Sequence, residues 1–423
     1  MADLAHRRTR ARVRVTDAAG RPLAGVPVTA EHVSHAFAFG NIGFDLVPWI
    51  GGPSPFAGSA EEPIDAAAAE TIAARFLDVF NAVTLPFYWR WYEPEPGRAD
   101  DARLRATAEW FAARGVTVKG HPLVWHTLTP PWLSALEDAA GDAAVEDAIR
   151  ARIRAVAGGF AGVVDQWDAI NEVVILPVFT AEDNAVTHLA RSRGRVKMVR
   201  MAFEEARAAD PAARLVLNDF DLSPTYEQLI AECLDAGIAI DAIGLQTHMH
   251  QGYRGEEQIT RILDRFARFG LPLQLTETTL VSGDLMPPDI VDLNDHIVDE
   301  WPSTPEGEAR QADEIARHYR TVFAHPATES LTYWGMTDAG AWLGAPAGLL
   351  RADGSPKPAY DAVRTLVRGE WATPPQHAVT DADGMLVVEG FAGRYRLVTP
   401  RASVEIDLPA GQVDAAIREE NPA

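Results

Sequence analysis

The chain has 423 residues, more than one ordinary core requires, and its 47% hydrophobic content supplies a large domain with a small appendage. Lys and Arg total 38 against 60 Asp and Glu, a formal net charge of -22 that repels polyanions and excludes nucleic acid as a natural partner. No run of about 20 apolar residues occurs, so no membrane span is expected, and the single Cys233 excludes an intrachain disulfide.

The opening Met1-Ala2-Asp3-Leu4-Ala5-His6-Arg7-Arg8 is polar, not an apolar leader. The chain as given is therefore expected in the cytoplasm, or outside the cell if a signal peptide has been removed. Between Arg10 and Glu31 apolar positions alternate, as Ala11, Val13, Val15 and again Val26, Val28, around the turn Asp17-Ala18-Ala19-Gly20. This predicts a pair of antiparallel strands. Short apolar runs then recur at 37–39, 82–85, 116–119, 164–169, 215–218, 243–246, 273–276 and 331–334. They alternate with stretches of helical period at 66–80, 100–114, 142–158, 197–209, 225–236, 256–269, 306–323 and 359–366. Strand and helix alternating in this number predict a (β/α)8 TIM barrel over residues 35–371. An open doubly wound sheet competes, but it should carry a glycine-rich phosphate loop after an early strand, and none is present. Near the end, Asp381-Ala382-Asp383-Gly384 precedes Leu386-Val387-Val388, and Gly390-Phe391-Ala392-Gly393 precedes Tyr395-Arg396-Leu397-Val398. Neither terminal piece is large enough for a core of its own. Residues 1–34 and 372–423 are expected to meet in one accessory β-sandwich.

A barrel gathers its functional side chains at the C-terminal ends of its strands. The predicted strands end in His121, Trp125 and His126; in Asn171 and Glu172; in Asn218 and Asp219; in Gln246 and His248; in Glu277; and in Trp334 with Asp338 and Trp342 beyond. An acid at the mouth of a buried strand is costly unless it works or is paired. Glu172 and Glu277 lie on strands across the barrel, where a separation of about 5 Å would suit retaining cleavage of an acetal. One carboxyl protonates the leaving oxygen and the other meets the oxocarbenium-like carbon, while tryptophan faces hold pyranose rings. The structural alternative pairs both acids with Arg or Lys on the barrel rim. A metal site built on His121, His126 and His248 lacks a convincing ligand spacing, so neither a metal nor another cofactor is expected. A serine hydrolase would want a Gly-x-Ser-x-Gly elbow, which is absent. The non-enzymatic reading is a barrel that binds carbohydrate without cutting it. Oligomeric state is not legible.

Taken together, Gly120-His121-Pro122-Leu123-Val124-Trp125-His126, Trp167-Asp168-Ala169-Ile170-Asn171-Glu172, Asn218-Asp219-Phe220, Gly244-Leu245-Gln246-Thr247-His248, Leu275-Thr276-Glu277 and Trp334-Gly335-Met336-Thr337-Asp338 resemble glycoside hydrolase family 10, the retaining β-1,4-xylanases. The resemblance runs over residues 36 to 370. It implies hydrolysis of xylan or xylo-oligosaccharides with Glu172 as acid/base and Glu277 as nucleophile. It also implies that His121, Trp125, Asn171, Gln246, His248, Trp334 and Trp342 shape the reacting-sugar subsite, with His126 beside them.

Two departures bear on the substrate. Where the family presents Thr-Pro-Glu-Asn and then Met-Lys-Trp on the non-reducing side, this chain reads Thr84-Leu85-Pro86-Phe87-Tyr88-Trp89-Arg90-Trp91. Pro86 and Phe87 stand for two polar sugar ligands and Arg90 for the lysine, so a more apolar and crowded pocket is expected there. The Asp that usually follows the nucleophile by two positions is Thr279, which removes a charged partner from the nearby histidine. Another β-linked glycan, a short oligosaccharide or an aryl glycoside is therefore the alternative substrate. The terminal sandwich is similar to accessory domains of the family. With only Phe391 and Tyr395 as candidate sugar platforms, it is expected to serve as structural support.

Overall fold

Eight parallel strands close on themselves in the middle of the chain. A computed structural model describes residues 3–56 and 65–419. Two strands come first, β1 (Arg8–Thr16) and β2 (Pro27–His35). The barrel follows as β3 (Ala38–Ile42), β4 (Ala82–Pro86), β5 (Thr117–His121), β6 (Gln166–Asn171), β7 (Arg214–Asp219), β8 (Ala242–Met249), β9 (Leu273–Leu280) and β10 (Thr328–Tyr333), with β10 returning to β3. Every residue of β6 and β9 is buried, as expected of strands covered by side chains within and helices without.

Helix starts follow local chemistry. Asp65 accepts from the backbone of Ala67 and Ala68 to open Ala66–Val79, and Thr304 accepts from Gly307, with Pro305 at the first position, to open Pro305–Ala324. Both helices lie where the apolar period placed them. The helices Trp89–Tyr92, Pro131–Ala140 and Ala185–Arg193 were not anticipated. Pro131–Ala140 carries Trp132, Leu133 and Leu136 at helical spacing, a short stripe that the sequence reading passed over.

The chain divides into two compact units, one from Phe39 to Ala362 and the other combining the chain through Ala38 with the chain from Val363 onward. The second unit adds β11 (Gln376–Val379), β12 (Met385–Phe391), β13 (Gly393–Val398), β14 (Ser403–Leu408) and β15 (Gly411–Arg418). Its sheets have the orders β12-β1-β15 and β11-β2-β13-β14.

The expected pairing of the first two strands is not what forms. The turn exists, since Gly20 donates to Asp17 O and the Asp17 carboxylate accepts from Ala19 and Arg21. However, β1 pairs with β12 and β15, and β2 pairs with β11 and β13. A two-stranded hairpin would leave Ala11, Val13 and Val15 facing water. Placing β1 and β2 in opposite sheets buries those residues against Val28, Ala30, Leu386, Val388, Tyr395 and Leu397 in one core. Tyr395 is fully buried and donates to Phe391 O at 2.7 Å, and Phe391 is buried too, so neither candidate platform is open to a sugar.

Candidate active site

Bulges prepare the barrel mouth. Register shifts between Leu245 and Gln246, and between Asp168 and Ile170, re-aim the strand ends and set Gln246 opposite Glu277. Glu172 follows β6 in the left-handed region at φ 57°, a conformation that costs a non-glycine residue about 1–2 kcal/mol. Its backbone N–H donates to Asn218 O at 2.9 Å, which anchors the turn.

Three donors meet the Glu172 carboxyl. Trp125 Nε1 donates to Oε2 at 2.8 Å, while Asn171 Nδ2 and Gln246 Nε2 each lie 3.2 Å from Oε1. Burial nevertheless dominates and, with the charge of Glu277 adding to it, pushes the carboxyl up to about 8. Glu277 is also buried. Its Oε1 accepts from Asn218 Nδ2 at 2.9 Å, and its Oε2 lies 3.1 Å from His248 Nε2. The same Asn218 amide donates to Asn171 Oδ1 at 2.8 Å, and Thr276 Oγ1 donates to Asn218 Oδ1 at 2.5 Å. Gly244 is required here because a Cβ on it would sit 2.5 Å from Asn218 Oδ1. Asn218 thus links the surroundings of the two acids. Among the described residues neither acid pairs with Arg or Lys, which removes the rim ion-pair alternative.

The histidines divide by role. His121 Nδ1 lies 2.8 Å from Asp168 Oδ2, and Lys119 Nζ lies 2.7 Å from Asp168 Oδ1. Burial pushes the Asp168 carboxyl up, but Lys119 and His121 outweigh it and hold the group below the usual carboxylate range. His121 is therefore oriented by a permanent anion. His126 is buried with Nε2 3.8 Å from Glu172 Oε2, and burial lowers it to about 3, so it stands neutral against Phe179. His248 Nδ1 meets Thr279 Oγ1 at 3.2 Å, a neutral partner where the family supplies an acid. Among the described residues no group of three His, Cys, Asp or Glu is placed to hold a metal ion, and no helix is long and apolar enough to cross a membrane.

Trp334 stands edge-on to His121 at 5.2 Å and to Phe44 at 5.6 Å between centroids. Trp342 lies 4.8 Å from His248 and is 39% exposed. Fully buried Lys357 positions its loop, reaching Asp338 Oδ1 at 2.7 Å and Ser282 Oγ at 2.9 Å.

Arg90 is the candidate that does not join the others. Its Nε donates to Thr129 O at 3.0 Å and its guanidinium pairs with Glu182. Phe87, expected to crowd the pocket, is instead wholly buried against Phe160 and Trp167. From the same stretch Tyr88 enters the site, 5.6 Å from His121 and 5.7 Å from Trp125 between ring centroids. Phe87 and Tyr88 precede the helix Trp89–Tyr92 and, as neighbours in non-helical chain, face different surroundings, while the helix carries Arg90 towards Glu182. Arg152 also escaped the sequence reading. From an outer helix its buried guanidinium donates to Leu123 O, Phe87 O and Pro122 O, tying together the segments that carry Tyr88 and Trp125. A lone arginine in an amphipathic helix gives no sign of this.

Comparison with known proteins agrees with the geometry. A family model, "Glycosyl hydrolase family 10", matches residues 56–366, well over half of the chain. The chain is 28% identical over 308 residues to an endo-1,4-beta-xylanase of Geobacillus stearothermophilus, covering 68% of this chain and 85% of that protein. It is 25% identical over 403 residues to the anti-sigma-I factor RsgI6 of Acetivibrio thermocellus, covering 92% of this chain but only 45% of that longer protein. Xylanase 10B from Thermotoga petrophila RKU-1, solved in complex with xylobiose, shares the fold with a TM-score of 0.62 at 22% identity, over 79% of this chain and 95% of that one. The barrel, with one acid just after β6 and another within β9, and the matching family model lead to one conclusion: the chain belongs to glycosyl hydrolase family 10.

Proposed function

We propose that this chain hydrolyses β-1,4-xylosidic bonds of xylan or xylo-oligosaccharides with retention of configuration, Glu172 serving as acid/base and Glu277 as nucleophile. The carrying observation is that burial and a like charge keep the Glu172 carboxyl protonated near neutral pH, while both Glu277 oxygens are held by Asn218 and His248. Glu277 attacks the anomeric carbon as Glu172 gives its proton to the departing glycosidic oxygen, which leaves a glycosyl ester on Glu277. Glu172, now a carboxylate, takes a proton from water as the water oxygen attacks that carbon. The sugar leaves with its original anomeric configuration and both acids regain their starting states.

Trp125, Asn171 and Gln246 orient Glu172, and His121, Trp334 and Trp342 offer the ring face and hydrogen bonds that seat the sugar. The xylanase names of the relatives support the sugar assignment. A second reading, a retaining β-glycosidase for another β-linked glycan, a short oligosaccharide or an aryl glycoside, is favoured by Arg90 lying against Glu182 and Tyr88 lying in the site. Incubation with β-linked xylo-, gluco- and galacto-oligosaccharides, with products resolved by size and anomer, separates the readings. Release of β-anomeric xylose or xylobiose supports the first, and turnover confined to gluco or galacto substrates supports the second. Inverted products would end both. Saturable binding without turnover of any member would instead make the barrel a carbohydrate-binding module.

A further inference from the structure

The segment leaving β4 sends a single side chain to the catalytic rings. Thr84, Leu85 and Phe87 are buried, Trp89 packs on Trp132, and Arg90 turns to Glu182. Tyr88 alone faces Phe44, His121 and Trp125, with centroid distances of 5.9, 5.6 and 5.7 Å. Its backbone is fixed on both sides. Phe87 N donates to His121 O at 2.7 Å, and Tyr88 O accepts from Trp91 N at 3.0 Å and Tyr92 N at 2.8 Å. The ring is thereby held in place before substrate arrives.

The phenol is only partly buried, and among the described residues its hydroxyl makes no hydrogen bond. A half-enclosed hydroxyl beside a sugar site, without a protein partner, has spare capacity for a ligand. Burial, reinforced by the charges of Glu277, Glu172 and Asp168, pushes the phenol well above its usual range, so it stays a proton donor throughout the working pH range.

Resting on the reading above, we propose that Tyr88 is a substrate-binding residue whose hydroxyl donates to the 2- or 3-hydroxyl of the sugar seated between Glu172 and Glu277. A phenol suits this duty differently from a cation, because it fixes one hydroxyl by direction and adds a flat wall to the ring already bounded by Trp334. Selection at this position is therefore by hydroxyl placement.

The test compares wild type with Tyr88→Phe on an aryl β-xyloside and on its 2-deoxy and 3-deoxy analogues, after confirming equal thermal midpoints for the two proteins. Wild-type turnover of the parent compound reports on the glycosidase reading itself, and the ratio between the two proteins reports on Tyr88. If the wild type prefers a glucoside or galactoside, the corresponding deoxy series is used. Expected is a loss in kcat/KM of about tenfold or more on the parent that shrinks to about onefold on one deoxy analogue, since enzyme and substrate then lack the same contact. Equal activity of both proteins on the parent overturns the proposal, and so does an equal loss on all three compounds, which would mark Tyr88 as a support only.

Discussion

Replacing Glu172 by Gln should abolish turnover and, at the same time, make the protein more resistant to unfolding as the pH rises. An ordinary glutamate carboxyl titrates at 4.5, whereas Glu172 is pushed up to about 8 by burial and by Glu277. Between those values the unfolded chain has released the proton and the folded chain still holds it, so the folded state loses stability as pH increases, until both are ionised above about 8. At about 1.4 kcal/mol per pH unit the full effect approaches about 5 kcal/mol, an upper figure because surrounding groups relax. Glutamine does not titrate, so the variant escapes this loss. The stability difference between the two proteins should be smallest near pH 4.5 and grow steadily in favour of Glu172→Gln up to pH 8. Asp219, raised to about 7 by burial, titrates in the same window but is present in both proteins and cancels to first order.

Urea unfolding followed by tryptophan fluorescence is the appropriate assay. Every tryptophan except Trp371 lies in the unit from Phe39 to Ala362, so the signal reports on the barrel. The same group sets the alkaline limb of kcat/KM, which should fall near pH 8 in the wild type. A stability difference that stays flat from pH 4.5 to 8.5 would falsify the argument that Glu172 is held protonated by its surroundings.

Glu277→Gly should lose about 10⁴-fold or more in activity, and added azide should restore turnover of an aryl glycoside with an inverted glycosyl azide as product; a retained product would deny Glu277 the nucleophile's role. Lys357→Met strands the Asp338 carboxylate, so urea unfolding should show a loss of about 3 kcal/mol, and KM should rise as Trp342 loses its anchor; an unchanged KM would separate that ion pair from the site. Deleting residues 1–31 removes β1 from between β12 and β15 and should produce aggregation on expression, measured by light scattering; a monomeric product of unchanged thermal midpoint would refute the shared core.

The barrel was legible because its strand runs are short, carry an apolar centre and are followed by a helix of clear period, as Arg214–Asp219 is by Pro224–Asp235. The two acids were legible for a related reason, since a charge beside an apolar strand run contradicts its own surroundings unless it has a task, although β9 continues past Glu277 to Leu280 where the sequence suggested an end. Contacts set by rotation within a short turn were not. Tyr88 and Arg90 are separated by one residue, yet one meets Trp125 and the other Glu182. Asn218 stood at the end of its strand in plain view, but its bridging of the two acids' surroundings depends on strand register and on space left by Gly244. Alternation likewise marked β1 and β2 as strands, while the choice of opposite sheets was made by segments more than 340 residues away.

The sandwich joins β1 to β12 and β15, so its middle strand leaves the ribosome long before the neighbours that flank it. At roughly 5–20 residues per second, the interval between making Val15 and making Ile417 is roughly 20 to 80 s. Until Phe391 is made the strand carrying Ala11, Val13 and Val15 has neither neighbour, and until Ile417 is made it still lacks one, although the barrel can already have closed. The nascent chain therefore carries a finished catalytic body behind an unfinished, adhesive leading strand, and synthesis that stalls after the barrel strands would release molecules able to turn over substrate yet prone to clump.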